Sequence, residues 1–198
     1  MNRKFRIVIL FVSLSVLLSF GVKSQACVGR ILNIGITNSV NENLLAELVS
    51  VLINERTGTT VNIKVFDNAK DIYDSVKKAE LGIVIENTGH AMNMLNMPNS
   101  KDMEKDYDVA KKEFREKRDL VWLNPFGYLP EEKGSGKIYY APVITQDVLI
   151  NFPALPRVIN KLGRISDDGD FNKVVKAVKS GEKVKRAARD LLKKKKLI

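Results

Sequence analysis

Few residues in this 198-residue chain could carry chemistry. It has one histidine, His90, and one cysteine, Cys27. A single imidazole cannot build a histidine metal cluster or an H-E-x-x-H pair, and the sequence holds no G-x-S-x-G and no P-loop. The segment GITNSV follows a strand and opens a helix, but it lacks the glycine spacing of a dinucleotide site. The reading is therefore a non-enzyme with no cofactor and no metal. What remains are two strand-to-helix junctions suited to holding a ligand. At Thr37, Asn38 and Ser39, free backbone amides at a helix N-terminus attract carboxylates. At Glu86 to His90, Gly89 lets the backbone approach closely, with Asn87 and Thr88 beside it. Plain helix capping by Ser39 and Thr88 is the competing reading at each junction. Aromatic side chains gather further on: Trp122, Phe126, Tyr128, Tyr139 and Tyr140. Their faces can attract a quaternary ammonium. Trp122 sits inside an apolar strand and reads as core, which leaves Tyr128, Tyr139 and Tyr140 for an exposed site, against the alternative of hairpin packing.

The elements that must position these residues alternate. ILNIGI reads as a short strand. SVNE matches a capping box, the Ser39 hydroxyl accepting from the Glu42 amide and the Glu42 carboxylate reaching back. The next helix carries Leu44, Leu48 and Leu52 on one row and Leu45, Val49 and Ile53 on the next, and Gly58 ends it. TVNIKVF alternates as a strand. NAKDIYDSVKKAE is a second helix, burying Ile72 and Val76. LGIVIEN is an unbroken apolar strand, expected in a parallel sheet covered on both faces. TGHAMNML is a short helix stopped before Pro98. SKDMEKDYDVAKKEFREKR is a long charged helix with a stripe of Met103, Tyr107, Ala110 and Phe114, and DLVWL is a fourth strand. This order predicts an α/β layered sheet, mostly parallel and flanked by helices. KIYYAPVI carries Pro142 and reads as an edge or crossing strand. The remainder is helical, with apolar rows Phe171/Val175/Val178 and Val184/Ala188/Leu191.

The front end has the layout of a signal peptide: a basic start, an apolar run from Ile7 to Phe20 too short to span a bilayer comfortably, then small residues. Residues 1–26 are assigned to it, with a retained anchor as the alternative. Cleavage falls after Ser24 or after Ala26. The second choice leaves Cys27 first, as in a lipidated protein, although Ser24 stands where an aliphatic residue is expected. One cysteine makes no internal disulfide, so the domain from 27 to 198 must be stable through its core. Loss of Arg3, Lys4, Arg6 and Lys23 lowers the net charge from +10 to about +6, with much of the excess in the tail KVKRAARDLLKKKKLI. A solvated helix face and contact with an anionic membrane are the two readings of that tail. Export leaves no role for nucleic acid. The chain is placed in the periplasm or outside the cell.

In order, LNIGITNSVNENLLAELVSVLINERTG, VIENTGHAM, LVWLNPFGY and YYAPVITQDVLINFPALPRVINKL resemble four segments of the substrate-binding proteins of glycine betaine/choline ABC transporters. The second is similar to that family's Glu-Tyr-Thr-Gly-Thr segment and the third to its Val-Trp-Leu-x-Pro-Leu-Gly-Phe segment. The resemblance covers nearly all of the chain from Cys27. It implies one lobe of a class II-like periplasmic binding protein, with residues 130–136 in place of the second lobe, since family chains leave the first lobe after the third segment and return before the fourth. It also implies partners, a small quaternary ammonium or zwitterionic solute and a membrane permease; a homodimer that rebuilds a two-walled cleft would reconcile ligand binding with a protein-interaction role. Thr37, Asn38 and Ser39 would then bind a carboxylate, with Asn87, Thr88, Tyr128 and Tyr140 lining the rest. The family's tyrosine is Asn87 here, and Asn offers no π face to a cation. A non-transporting protein-interaction module built on the same lobe is the alternative function. A polar cleft wall would favour ligand binding, and an apolar patch the interaction module.

Overall fold

The computed structural model describes residues 31–100, 102–130 and 136–198. The signal segment, Cys27 and most of the 130–136 connection lie outside them. The expected alternation is present. Strand β1 (Leu32–Thr37) leads to helix α1 (Val40–Thr57), β2 (Val61–Phe66), α2 (Ala69–Lys77), β3 (Ile83–Asn87), α3 (Thr88–Met94), α4 (Met103–Arg118) and β4 (Leu120–Trp122). Then come β5 (Gly127–Pro130), β6 (Lys137–Thr145), α5 (Gln146–Asn151), α6 (Leu155–Ile159), α7 (Gly169–Lys179) and α8 (Val184–Lys194). Gly58 ends α1 as expected, in the left-handed region at φ 70°, with its amide bonded to the Asn54 carbonyl.

The sheet order is β2-β1-β3-β6-β4, with β5 also on β6. Strands β1, β2 and β3 pair in parallel, and β6 is antiparallel to β3, β4 and β5. Strands β1 to β4 thus share one direction, and β6 is the reversed strand between β3 and β4. The edge-strand reading of KIYYAPVI is corrected: β6 is interior. Proline is tolerated there because the ladder is interrupted beside it. β4 stops at Trp122 and β5 starts at Gly127, so the N–H that Pro142 lacks has no regular partner to miss, while its carbonyl accepts from the Leu123 amide at 2.9 Å. β4 and β5 therefore lie end to end along β6, and β5 with β6 makes a hairpin from Pro130 to Lys137.

Alternation along β6 splits the core in two. Tyr140 and Ile144 enter a cluster with α1, α6, α7 and α8 on one face. Tyr139, Ala141 and Val143 enter the other with Tyr107, Ala110, Phe114 and Trp122. The wide Leu/Val row of α1 is fully covered, with Leu44, Leu45, Leu48, Val49, Leu52 and Ile53 all at 0 % exposure. Trp122 is core as expected.

Candidate functional site

Three turns at the carboxyl ends of β1, β2 and β3 bring the site together, where open α/β sheets place ligands. In the first, Ser39 is extended and its hydroxyl accepts from the Glu42 amide at 3.2 Å. The Glu42 carboxylate does not stop at this cap. It accepts from the Thr37 amide at 2.6 Å and the Thr37 hydroxyl at 2.9 Å. The chain's own carboxylate thus occupies an amide that the sequence offers to a ligand carboxylate. In the third turn, Asn87 caps α3, its side-chain oxygen accepting from the His90 amide at 2.8 Å. The second turn carries Asp67, at the junction of β2 and α2, beside the first turn and on the side away from the third.

Glu86 is the most constrained charge in the region, 4 % exposed. Its carboxylate accepts from the Tyr73 hydroxyl at 2.6 Å and the Asn87 amide at 2.8 Å, and His90 Nδ1 lies 2.9 Å from both its oxygens. Burial pulls the His90 pKa down, but the hydrogen bond to Glu86 and the charges of Glu86 and Glu42 outweigh it, so the imidazole titrates above its ordinary value. Burial, reinforced by Glu86, holds the Tyr73 hydroxyl well above the tyrosine range.

These groups line a cavity of about 440 Å³ bounded by Thr37, Asn38, Glu42, Asp67, Ala69, Ile72, Ile85, Glu86, Asn87 and His90. Three carboxylates share its wall, and no Phe, Tyr or Trp lines it. A larger cavity, about 560 Å³, opens at the far end of α2 among Lys77, Met94, Lys117 and Arg118. Its cations are engaged: Lys77 with Asp74, Lys117 with Glu113, and Arg118 with the Met94 carbonyl and the rings of Tyr73 and Phe114. It lies away from the strand ends that bind ligands in such sheets.

Of the residues that the sequence nominates, Thr37, Asn38 and Asn87 come together in the acidic cavity. Ser39 is 7 % exposed and acts as a cap. Thr88 is 2 % exposed, its hydroxyl accepting from the Tyr139 amide at 3.3 Å. Tyr128 and Tyr139 stack at 4.1 Å and 20°, their hydroxyls 2.6 Å apart, so each covers one face of the other. Tyr140 points to the opposite side of the sheet and is 3 % exposed. Treating Tyr139 and Tyr140 as parts of one exposed aromatic site is corrected, because neighbours on a strand face opposite ways and both are buried. Hairpin packing is what these rings do. The Glu86–His90 junction is nominated for its backbone, but sequence reasoning missed the Glu86 carboxylate, the His90 ring and Asp67 as cavity groups, and read Glu42 only as a cap. A signal existed for two of them: Asp67 sits at a strand-to-helix junction like the two nominated ones, and Glu86 is a charge closing an apolar strand. Among the described residues, no group of three or more His, Cys, Asp and Glu has the geometry to hold a metal ion.

Residues 31–133 match the model of the family described as the substrate binding domain of ABC-type glycine betaine transport system. Among solved structures, a glycine betaine/carnitine/choline ABC transporter protein is similar with a TM-score of 0.70 at 12 % identity, over 85 % of this chain and 98 % of that one. Apo YehZ from Escherichia coli is similar with a TM-score of 0.67 at 14 % identity, over 86 % and 100 %. Lactococcal OpuAC, closed on glycine betaine, is similar with a TM-score of 0.50 at 10 % identity, over 85 % and 97 %. At these identities the likeness is one of fold, that of a periplasmic binding protein. No curated protein sequence matches the chain.

Proposed function

Because the chain belongs to the family of substrate-binding domains of ABC-type glycine betaine transport systems, we propose that its acidic cavity binds a small organic cation of the choline type for a membrane permease. Proteins of this family bind solutes and are not an enzyme class. The observation that carries the finer reading is the lining: Glu42, Asp67 and Glu86 face a space that no Phe, Tyr or Trp lines. A quaternary ammonium here is held by the field of carboxylates rather than by π faces. The same field opposes the carboxylate of a zwitterion, and Glu42 already satisfies the Thr37 amide that would receive it. This argues for choline over glycine betaine, and for Thr37, Asn38 and Asn87 as neutral contacts around the cation.

Only six residues separate Pro130 from Lys137, too few for a second lobe, so on this reading the chain supplies one wall of the cleft. A second copy facing it would supply the other. The polar wall favours solute binding over the interaction module, which calls for an apolar patch. The test is thermal unfolding of the chain from Cys27 with millimolar choline, carnitine or glycine betaine, alongside its mass in solution. Ligand at one hundred times its dissociation constant adds about 2.7 kcal/mol, a rise of roughly 5–10 °C for a domain of this size. Choline is expected to give the largest shift. Betaine shifting more than choline would remove the cation reading, and no shift with any of the three would remove solute binding.

A further inference from the structure

Charge is distributed unevenly along the folded part of the chain. Residues 31–163 hold 16 Lys and Arg against 18 Asp and Glu, whereas residues 164–198 hold 12 against 5. The basic excess belongs to α7 and α8. Helix α8 buries Ala187, Ala188, Leu191 and Leu192 against the body. At 100° per residue, Lys185, Arg186, Arg189 and Lys193 fall within an arc of about 100° on the other side. Lys185, Arg186 and Lys193 are exposed there, and so is Lys196 just past the helix end.

Structural roles account for some of these cations and not for others. Lys195 pairs with Asp168 and Asp170, Lys194 with Asp170, and Arg189 with Glu55, tying α8 to α7 and α1. Arg186 has only a long pair to Asp190 at 3.9 Å. Lys185 lies close enough to the Glu47 carboxylate on α1 to favour its charged form, whereas Lys193 and Lys196 make no ion pair among the described residues. Cations in the last turn favour the helix macrodipole, but Lys185 and Arg186 sit in the first turn, which has no acidic residue and where cations are unfavourable. Helix stability therefore does not explain their placement.

The position of this face adds a second argument. The Arg56 side chain donates to the Leu197 carbonyl at 2.8 Å, and the Leu32 amide donates to the Thr60 carbonyl at 3.0 Å. The end of α8 and the start of β1 thus meet at the turn after α1. The acidic cavity lies at the other end of β1, about 20 Å away for a six-residue strand. Cys27 stands five positions before the start of β1, so a tether at that residue would lie near the end of the sheet where α8 finishes.

We infer that the basic face of α8 docks on an anionic membrane surface. Each basic residue near an anionic leaflet contributes about a fivefold factor in partitioning. The inference is independent of which solute the cavity binds.

The test is co-sedimentation of the unlipidated chain from Cys27 with phosphatidylcholine vesicles, with and without about 30 mol% of the anionic lipid phosphatidylglycerol, at low and high salt. Binding is expected only to the anionic vesicles and is expected to vanish in high salt. Replacing Lys185, Arg186, Lys193 and Lys196 together by Gln is expected to lower the partition coefficient by roughly a hundredfold or more. The matched variant with Lys185, Lys193 and Lys196 changed to Arg is expected to bind like the parent. A control changes Lys105, Lys111, Lys112 and Arg115 on α4, in the opposite layer, to Gln and is expected to keep most of the binding. Equal binding to neutral vesicles, no binding to anionic ones, or an equal loss in the α4 control each overturns the inference.

Discussion

Changing Glu86 to Gln keeps the side chain's shape and removes its charge, and that charge organises the cavity's back wall. The carboxylate is 4 % exposed and serves three donors: the Tyr73 hydroxyl, the Asn87 amide and the His90 ring. An amide at this position leaves one oxygen for the Asn87 N–H. A neutral imidazole can accept from the new NH₂ group, and the Tyr73 hydroxyl must share the remaining oxygen with the Asn87 amide. What is lost is charge assistance in a buried setting, about 2 kcal/mol, or a fall in Tm of roughly 4–8 °C for a domain of this size. The loss depends on pH. His90 has a raised pKa in the folded state, so its protonated pairing with Glu86 stabilises the fold fully below the unfolded histidine value of about 6.5 and fades as pH rises through the folded value. Without the Glu86 charge that contribution disappears. Urea unfolding of parent and variant at pH 5.5 and pH 8.5 checks this, with the larger difference expected at pH 5.5. An equal difference at the two pH values would refute the His90–Glu86 coupling, and no difference at either would refute the claim that this carboxylate supports the fold.

Two further outcomes test the scaffold that holds the site. Phe114 is 0 % exposed and meets Trp122 edge-on at 5.5 Å and Tyr73 at 6.0 Å; truncation to Ala is expected to cost about 3–5 kcal/mol in urea unfolding. Gly127 has φ +117°, and a Cβ there would run into the Asp167 carboxylate and the Ser166 hydroxyl. Those two groups fasten the start of β5, since Asp167 accepts from the Tyr128 amide and the Ser166 hydroxyl donates to the Phe126 carbonyl. Gly127→Ala is expected to cost about 2–4 kcal/mol by the same measurement.

Much of the fold was legible because its signals are local. Ser39 and Gly58 bracket α1 in sequence as they do in space, and the Leu/Val rows announce its buried face without reference to any other element. Alternation and turn chemistry likewise gave β1 to β3 and the helices between them. β6 was harder. Pro142 is a local sign of an edge, and only the break between β4 and β5, set by Leu123 to Phe126, makes an interior position acceptable. Alternation along Tyr139 and Tyr140 did hold the information that the two rings part company, since neighbours on a strand face opposite sides of a sheet.

The cavity's character was the part that no local pattern could supply. Sequence alone located the Ser39 cap and the segments from which ligand contacts could come, although it took Thr88 rather than Asn87 for the cap of α3. It did not bring Asp67 beside Glu42 and Glu86, because parallel pairing of β1 with both β2 and β3 is what aligns their carboxyl ends. Nor did it reveal that Tyr73, thirteen residues before Glu86, returns on α2 to hold its carboxylate. Charges on separate segments become one field only when the sheet sets their spacing, and that is a property of the register of the strands, not of the order of the residues.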